Sequence, residues 1–406
     1  MSIAAKKRIL FVDDDALLLR VYEMMLEDDA SAWTVVTANN AVAALEHIKN
    51  SEFDIVVSDM RMPGLSGTEL MKVVRDLHPR TSRVILSALQ DQKEIAESLQ
   101  ATHQFVPKPF HPRELKITLE QFCGLNAFML DERLQSLVGR LEHVPSFPAV
   151  YLEVMAALNS DDPSIELVAS IIAKDPALIA KILQVANSAA FGLMNKVSSP
   201  FEAVQFLGFS TIRSMALSIH VFANFSSLKH RSFSVERLCD HSMNTGLIAR
   251  AIMQAEQATA AVADDAYTGG MLHDMGKLML AENLPEEFDR AMQIADEKKI
   301  PLHEAELEVF GTTHASVGAY LLGLWVLPAS IVEAVAFHHT PEKSTARKLG
   351  SSGAVHIASA IEHEIDGETE AGTFLNAEYI AAVGKADRLP VWRAEAEELL
   401  SVSSDY

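Results

Sequence analysis

The stretch 56–67, VVSDMRMPGLSG, constrains the fold of this chain more than any other. Apolar residues run straight into Asp59, and a Pro63-Gly64 turn follows within five positions. A strand that ends in a carboxylate at a loop places that carboxylate at the carboxyl edge of a sheet, where open α/β sheets bind ligands. Asp59 alone fits either a strand-end turn residue or a reactive carboxylate, and its neighbours decide between them.

Residues 1–124 alternate. Short apolar strands are predicted at 8–12, 33–37, 54–58, 83–87 and 104–106, and helical stripes at 17–26, 41–49, 68–77, 90–100 and 112–122. Five strands alternating with five helices imply a parallel, doubly wound sheet, and continuous apolar strands suit a sheet buried on both faces. In such a sheet the strand ends carry Asp13, Asp14 and Asp15, then Asp59, then Ser87, with Lys108 following the last strand. Carboxylates converging at one edge repel each other unless a cation neutralises them, and an all-oxygen site suits Mg²⁺. Asp59 could then attack phosphorus as a nucleophile, with Ser87 and Lys108 offering a hydroxyl and a cation to the phosphoryl oxygens.

The runs ILFVDDD, VVSDMRMPGLSG, VILSAL and FVPKPF together resemble a response-regulator receiver domain over residues 6–124. The resemblance implies that Asp13 and Asp14 belong to an acidic Mg²⁺ pocket with Asp59 as phosphoacceptor. It further implies that Ser87 is the switch hydroxyl and Lys108 the phosphate-contacting lysine. Phe105 takes the aromatic switch position; lacking a hydroxyl, it can report only by burial. A histidine kinase is the implied phosphodonor.

Charge is unevenly placed. Residues 1–124 hold 18 acidic and 14 basic side chains, against 37 and 20 in 125–406, within a net charge of −21. A surface that negative repels nucleic-acid phosphate and argues against a DNA-binding output. Cys123 and Cys239 form no metal or redox pair motif, which fits reduced thiols in a cytoplasmic protein. Only four apolar residues separate Arg8 from Asp13, too few for a signal-peptide core. The charge-free run 315–332 is broken by Pro328 and reads as two buried helices rather than a membrane span.

From residue 125 onward no period-two pattern persists, and an all-α region is expected. Residues 126–142 read as a helical connector with Leu130, Leu134, Leu137, Val138 and Leu141 at helical spacing. Most of the histidines lie beyond it, including His241, His273-Asp274, His314, His338-His339 and His356. A His-Asp pair with an upstream histidine offers imidazole nitrogen and carboxylate oxygen to a hydrolytic metal; the competing account is buried histidines bonding to backbone.

The runs PSFPAVYLEVMAALN, DPALIAKILQVANSAAFG, FLGFSTIRSMAL, GGMLHDMGKLML and AFHHTPE resemble an HDOD domain, a non-catalytic relative of the HD phosphohydrolases, over 143–342. The resemblance implies a degenerate metal site at His241, His273, Asp274, His338 and His339. Ser359 stands where the hydrolases need a distal aspartate, so no metal and no catalysis are expected. His314, His338 or His339 could instead complete a different site, and Glu362 or Glu364 would reach inward under a shifted helix register. The tail 343–406 is expected to be a helical extension that packs or dimerises.

The sequence thus describes an α/β domain followed by an all-α domain. The expected function is a cytoplasmic, phosphorylated signalling protein whose output domain binds another protein. A metal-dependent phosphohydrolase acting on a (cyclic di)nucleotide and a nucleotide sensor are the alternative outputs; a homodimer is a further expected assembly, and neither nucleic acid nor membrane is an expected partner.

Overall fold

The structure is a computed structural model that describes residues 6–27, 33–78, 81–88, 104–108, 115, 116, 119, 132–138, 140, 141, 149–158, 160, 163–187, 197–226, 228, 230, 234–325, 327–344, 346, 348–367 and 375–401. The chain divides into two compact units, one built on Met1–Asp131 and one on Glu132–Tyr406 apart from the short segment Leu322–Leu327.

The first unit holds β1 (Lys7–Val12), α1 (Ala16–Glu27), β2 (Trp33–Ala38), α2 (Ala41–Asn50), β3 (Ile55–Asp59), α3 (Gly67–Leu77), β4 (Ser82–Ala88) and β5 (Gln104–Lys108). The strands form one parallel sheet in the order β2-β1-β3-β4-β5. Side chains alternate across a strand, and here both sets are buried. Leu10, Val12, Val56 and Ile85 pack on one face against Ala44 and Ile48 of α2 and Leu70 and Val74 of α3. Ile9, Phe11, Ile55, Val57 and Leu86 pack on the other against Leu19, Tyr22 and Leu26 of α1, with Leu115 and Leu119. Burying each such aliphatic side chain contributes roughly 1.5–3 kcal/mol. This two-sided burial is why the strands read as unbroken apolar runs. The helix expected at 90–100 lies outside the described residues, as does the one at 112–122 apart from residues 115, 116 and 119.

The second unit is helical throughout its described residues: α4 (Glu132–Val138), α5 (Ala149–Leu158), α6 (Ile165–Ile172), α7 (Pro176–Ala186), α8 (Pro200–Asn224), α9 (Val235–Ala255), α10 (Ala260–Leu272), α11 (Met275–Asn283), α12 (Pro285–Lys298), α13 (Leu302–Phe310), α14 (His314–Leu324), α15 (Ala329–Ala336), α16 (Ser351–Asp366), α17 (Ala377–Ala382) and α18 (Leu389–Ser401). Of the connector expected at 126–142, Glu132–Val138 is helical, and 126–131 lie outside the described residues. Hydroxyl caps at Ser164, Ser199, Ser234 and Thr259 start α6, α8, α9 and α10 by accepting a first-turn backbone N–H. Helix α8 is kinked at Gly208, whose φ of 77° suits only a residue without a Cβ. It has the length and apolarity to cross a membrane, yet over half of it is packed inside the unit. The charge-free run at 315–332 is divided between α14 and α15.

Two apolar clusters build this unit. One joins α5–α8 to Leu247, Tyr267 and Met271. The other joins α9, α10, α15 and α16 to Tyr379 and Ile380 of α17 and Trp392 and Ala396 of α18. The tail therefore lies in the core. Tyr379 covers Gly353 so closely that a Cβ there would overlap its ring, and Lys385 and Arg388 both bind Glu256 at the end of α9.

Candidate functional site

The strand order puts β1 beside β3, so Asp13, just past β1, and Asp59, at the end of β3, meet at the carboxyl edge. Asp13 is buried; its Oδ1 accepts the Asp15 N–H at 2.9 Å, and Oδ2 faces the Tyr22 hydroxyl at 3.4 Å. Lys108 closes the edge from the end of β5, its Nζ 3.3 Å from Asp13 Oδ2 and in contact with Asp59 Oδ1. The second Asp59 oxygen accepts the Arg61 N–H at 3.1 Å. Burial pushes the Asp13 carboxyl up. Burial would push the Lys108 ammonium down, but the hydrogen bond and charge of Asp59, and then Asp13, outweigh it and hold it above the ordinary lysine value. Gly67 is required here: a Cβ would stand 2.0 Å from the Asp59 carbonyl oxygen.

Asp14 is exposed beside this pair. Three carboxylates against one ammonium form an all-oxygen donor set short of positive charge, which fits a hard cation such as Mg²⁺. Ser87 lies on β4 opposite Pro107, and Phe105 lies on β5 opposite Ile85; their side chains are outside the described residues.

The second unit concentrates histidine at helix ends. α10 stops at Leu272 and α11 starts at Met275, leaving His273-Asp274 in the break. His314 opens α14, and His338-His339 follow the end of α15. Helix ends carry unpaired backbone groups, and these fix the rings. The Nδ1 of His273 contacts the Gly270 carbonyl and that of His338 the Val335 carbonyl, each at 2.7 Å. Two carboxylates hold the other pair: His241 Nδ1 lies 2.5 Å from Glu362 Oε2, and His314 Nδ1 lies 2.7 Å from Glu306 Oε2, which also accepts the His314 backbone N–H. A ring that donates through Nδ1 presents Nε2 as an acceptor.

All four Nε2 atoms converge on buried Asp274. His273 and His241 stand 3.4 and 3.8 Å from Oδ2, while His314 and His338 stand 3.2 and 3.7 Å from Oδ1. His241 Nε2 also faces His273 Nε2 at 3.1 Å, and His339 Nε2 faces His314 Nε2 at 3.0 Å. Two imidazole acceptors that close need a proton or a cation between them. His338 Nε2 and Asp274 Oδ1, both buried, have no hydrogen bond. Donor atoms of His241, His273 and Asp274, and of His314, His338 and His339, lie close enough to share an ion.

Burial pushes the His273 imidazole down to about 3 and those of His338 and His339 well below the usual histidine value. His314 is the exception. Burial opposes its charge, but Glu306, helped by Asp274, raises it to about 9. Burial works against the Asp274 anion too, yet His273, Lys277 and His314 hold its carboxyl well below the ordinary range. Anchored Nδ1 atoms with Nε2 turned to one carboxylate are the arrangement that metal-ligating histidines adopt, so this donor set fits a transition-metal ion.

Matches to known families follow the same division. Residues 9–120 match the model of the response regulator receiver domain, and residues 144–341 match that of the HDOD domain.

The chain is a response regulator receiver domain followed by an HDOD domain.

The receiver domain is 33% identical over 110 residues to the chemotaxis protein CheY of Thermotoga maritima, covering 26% of this chain and 88% of that one. An uncharacterised protein of Treponema pallidum is 26% identical over 234 residues, 58% of this chain and 45% of its own length. The chain thus spans less than half of that relative. An HDOD domain protein of Geobacter sulfurreducens, with a TM-score of 0.52 and 23% identity, covers 66% of this chain and 97% of its own. A candidate phosphohydrolase of Shewanella amazonensis SB2B has a TM-score of 0.54 and 20% identity over 68% of this chain and 97% of its own. At those identities the two structures establish the helical fold of the HDOD domain.

The cluster differs from its sequence expectation. His241, His273, Asp274 and His338 come together with His314 around one carboxylate, and His339 joins through His314. Glu362, one turn further along α16 from Ser359, brings a carboxylate to His241 Nδ1, on the side of the ring away from Asp274. Glu306 and Lys277 gave no signal of their own: Glu306 lies eight positions before His314, and Lys277 sits three after Asp274 in an ordinary helical stretch.

Proposed function

We propose that this chain is a cytoplasmic phosphorelay response regulator in which Asp59 takes a phosphoryl group from a histidine kinase. The Asp59 carboxylate attacks phosphorus, the phosphorus–nitrogen bond breaks, and the departing imidazole keeps the electron pair. The observation that carries this reading is the Lys108 ammonium bridging Asp59 and Asp13 at the carboxyl edge. Asp13, Asp14 and Asp59 would hold Mg²⁺, whose charge offsets that of the phosphoryl oxygens. Ser87 and Phe105 are the switch residues, repacking around an added charge of roughly −1.5 to −2. The receiver spans 6–124 and the connector 125–142; the HDOD domain spans 143–342, with 343–406 as its extension. Output is the binding of a signalling protein by the HDOD domain, with homodimerisation as the competing outcome.

The test is incubation with acetyl phosphate and Mg²⁺, read as intact mass. The wild type should gain one phosphoryl group and Asp59→Asn none; equal labelling of both would overturn the assignment.

A second reading, metal-dependent phosphohydrolysis of a cyclic dinucleotide, is favoured by one observation: His338 Nε2 and Asp274 Oδ1 are buried, 3.7 Å apart and without hydrogen bonds. His241, His273, Asp274, His314, His338 and His339 would hold the metal, which would supply an activated water. Metal content of the purified chain, wild type against Asp274→Ala, with turnover assayed on the same samples, separates this from a binding module.

A further inference from the structure

We propose that Lys277 is a tethered competitor for the divalent cation that the histidine cluster takes, so that its ammonium sets the cation affinity of the HDOD domain. The inference rests on the metal-binding reading above. Lys277 Nζ donates to Asp274 Oδ2 at 2.7 Å. This is the oxygen that His241 and His273 face, so the ammonium occupies the atom that a cation held by these residues must use. Lys277 is anchored at short range, in the first turn of α11, with its backbone N–H bonded to the Asp274 carbonyl at 2.9 Å. A competitor fixed one turn away acts at high effective concentration whatever the bulk salt.

The electrostatics give the reason. A buried carboxylate without a counter-ion is costly, and in the metal-free protein Lys277 supplies positive charge at Oδ2 while His314 faces Oδ1. A divalent cation at Asp274 neutralises the same carboxylate, leaving two positive centres in one low-dielectric space, where they repel strongly. Binding must therefore displace the ammonium. The side chain is 14% exposed, so part of it already reaches solvent, the direction in which a displaced ammonium would move. The cluster is thereby held without metal, with Lys277 at Asp274 Oδ2 and His314 at Oδ1.

The test is Co²⁺ titration of the full chain, stripped with chelator and followed by visible absorption, which imidazole ligation intensifies. Lys277→Met keeps the stem and removes the charge; it should bind Co²⁺ at least about tenfold more tightly than wild type, ~1.4 kcal/mol. Lys277→Arg should stay near wild type. Should Lys277→Met melt early without metal, Co²⁺ should raise its Tm by more than it raises that of the wild type. Wild-type binding that Lys277→Met leaves unchanged or weakens overturns the competitor role and leaves the metal reading standing. Absence of binding in every variant, or wild-type affinity retained by Asp274→Ala, removes both.

Discussion

His241 and Glu362 lie 121 positions apart in sequence, and their Nδ1 and Oε2 atoms lie 2.5 Å apart in the HDOD domain. Asn244, one turn along α9 from His241, donates to the other carboxylate oxygen at 3.2 Å, so Glu362 is held from two positions on one helix. Burial opposes its charge, but the hydrogen bond with His241 keeps its carboxyl below the ordinary value.

Glu362→Gln removes the anion that orients the His241 ring. Metal affinity should fall by about 10–100-fold, the range seen when such supporting carboxylates are lost. Calorimetric titration with Zn²⁺ checks this, and an unchanged affinity would show that His241 is not a ligand.

In the receiver domain, Lys108 alone separates the Asp13 and Asp59 carboxylates among the described residues. Lys108→Met leaves buried Asp13 without its cation and should lower stability by about 1–3 kcal/mol in chelator. Added Mg²⁺ should restore most of the loss. Urea melts of both proteins, with and without Mg²⁺, are the measurement.

Protonation of the histidine cluster should give the HDOD domain opposed pH slopes. The pKa of His314 is raised to about 9, so its contribution is complete below about pH 6.5 and is lost as pH climbs through 9. Burial lowers His273 to about 3 and His303, on α13 with its ring stacked 4.1 Å from that of His339, to about 4, so these rings favour the folded state above pH 6.5 and cost stability as pH falls towards 4. Glu306→Gln should flatten the alkaline slope and leave the acid slope in place. Denaturation midpoints from pH 4 to 9.5, taken without metal, check both signs.

Trp392, fully buried in the cluster with α9 and α16, makes the tail a structural necessity. Trp392→Ala should cost about 3–5 kcal/mol. Thermal melting of the HDOD domain reads this loss; a Tm close to wild type would mean that α18 docks only loosely.

The receiver domain was legible in sequence because its site is built from strand ends. A parallel sheet sends every strand's carboxyl end to one edge, so knowing where strands stop is enough to place Asp13, Asp59 and Lys108 together. The alternation of strands and helices, and the unbroken apolar runs, come from backbone geometry and two-sided burial, both of which act locally. The helical half was legible only in part. His273-Asp274 and His338-His339 announced themselves, since helix ends leave their traces in nearby residues. Which carboxylates face them depends on how helices far apart in the chain cross and rotate, and a period of 3.6 names a face without naming its partner. Ser359 marked a missing carboxylate, and of the two glutamates further along that helix only packing of α16 on α9 shows that Glu362 reaches His241, at its Nδ1. Packing likewise brought Glu306 to His314 and the tail into the core. Sequence by itself determined the two folds and the carboxylate edge of the receiver domain; tertiary packing decided the partners of the histidine cluster.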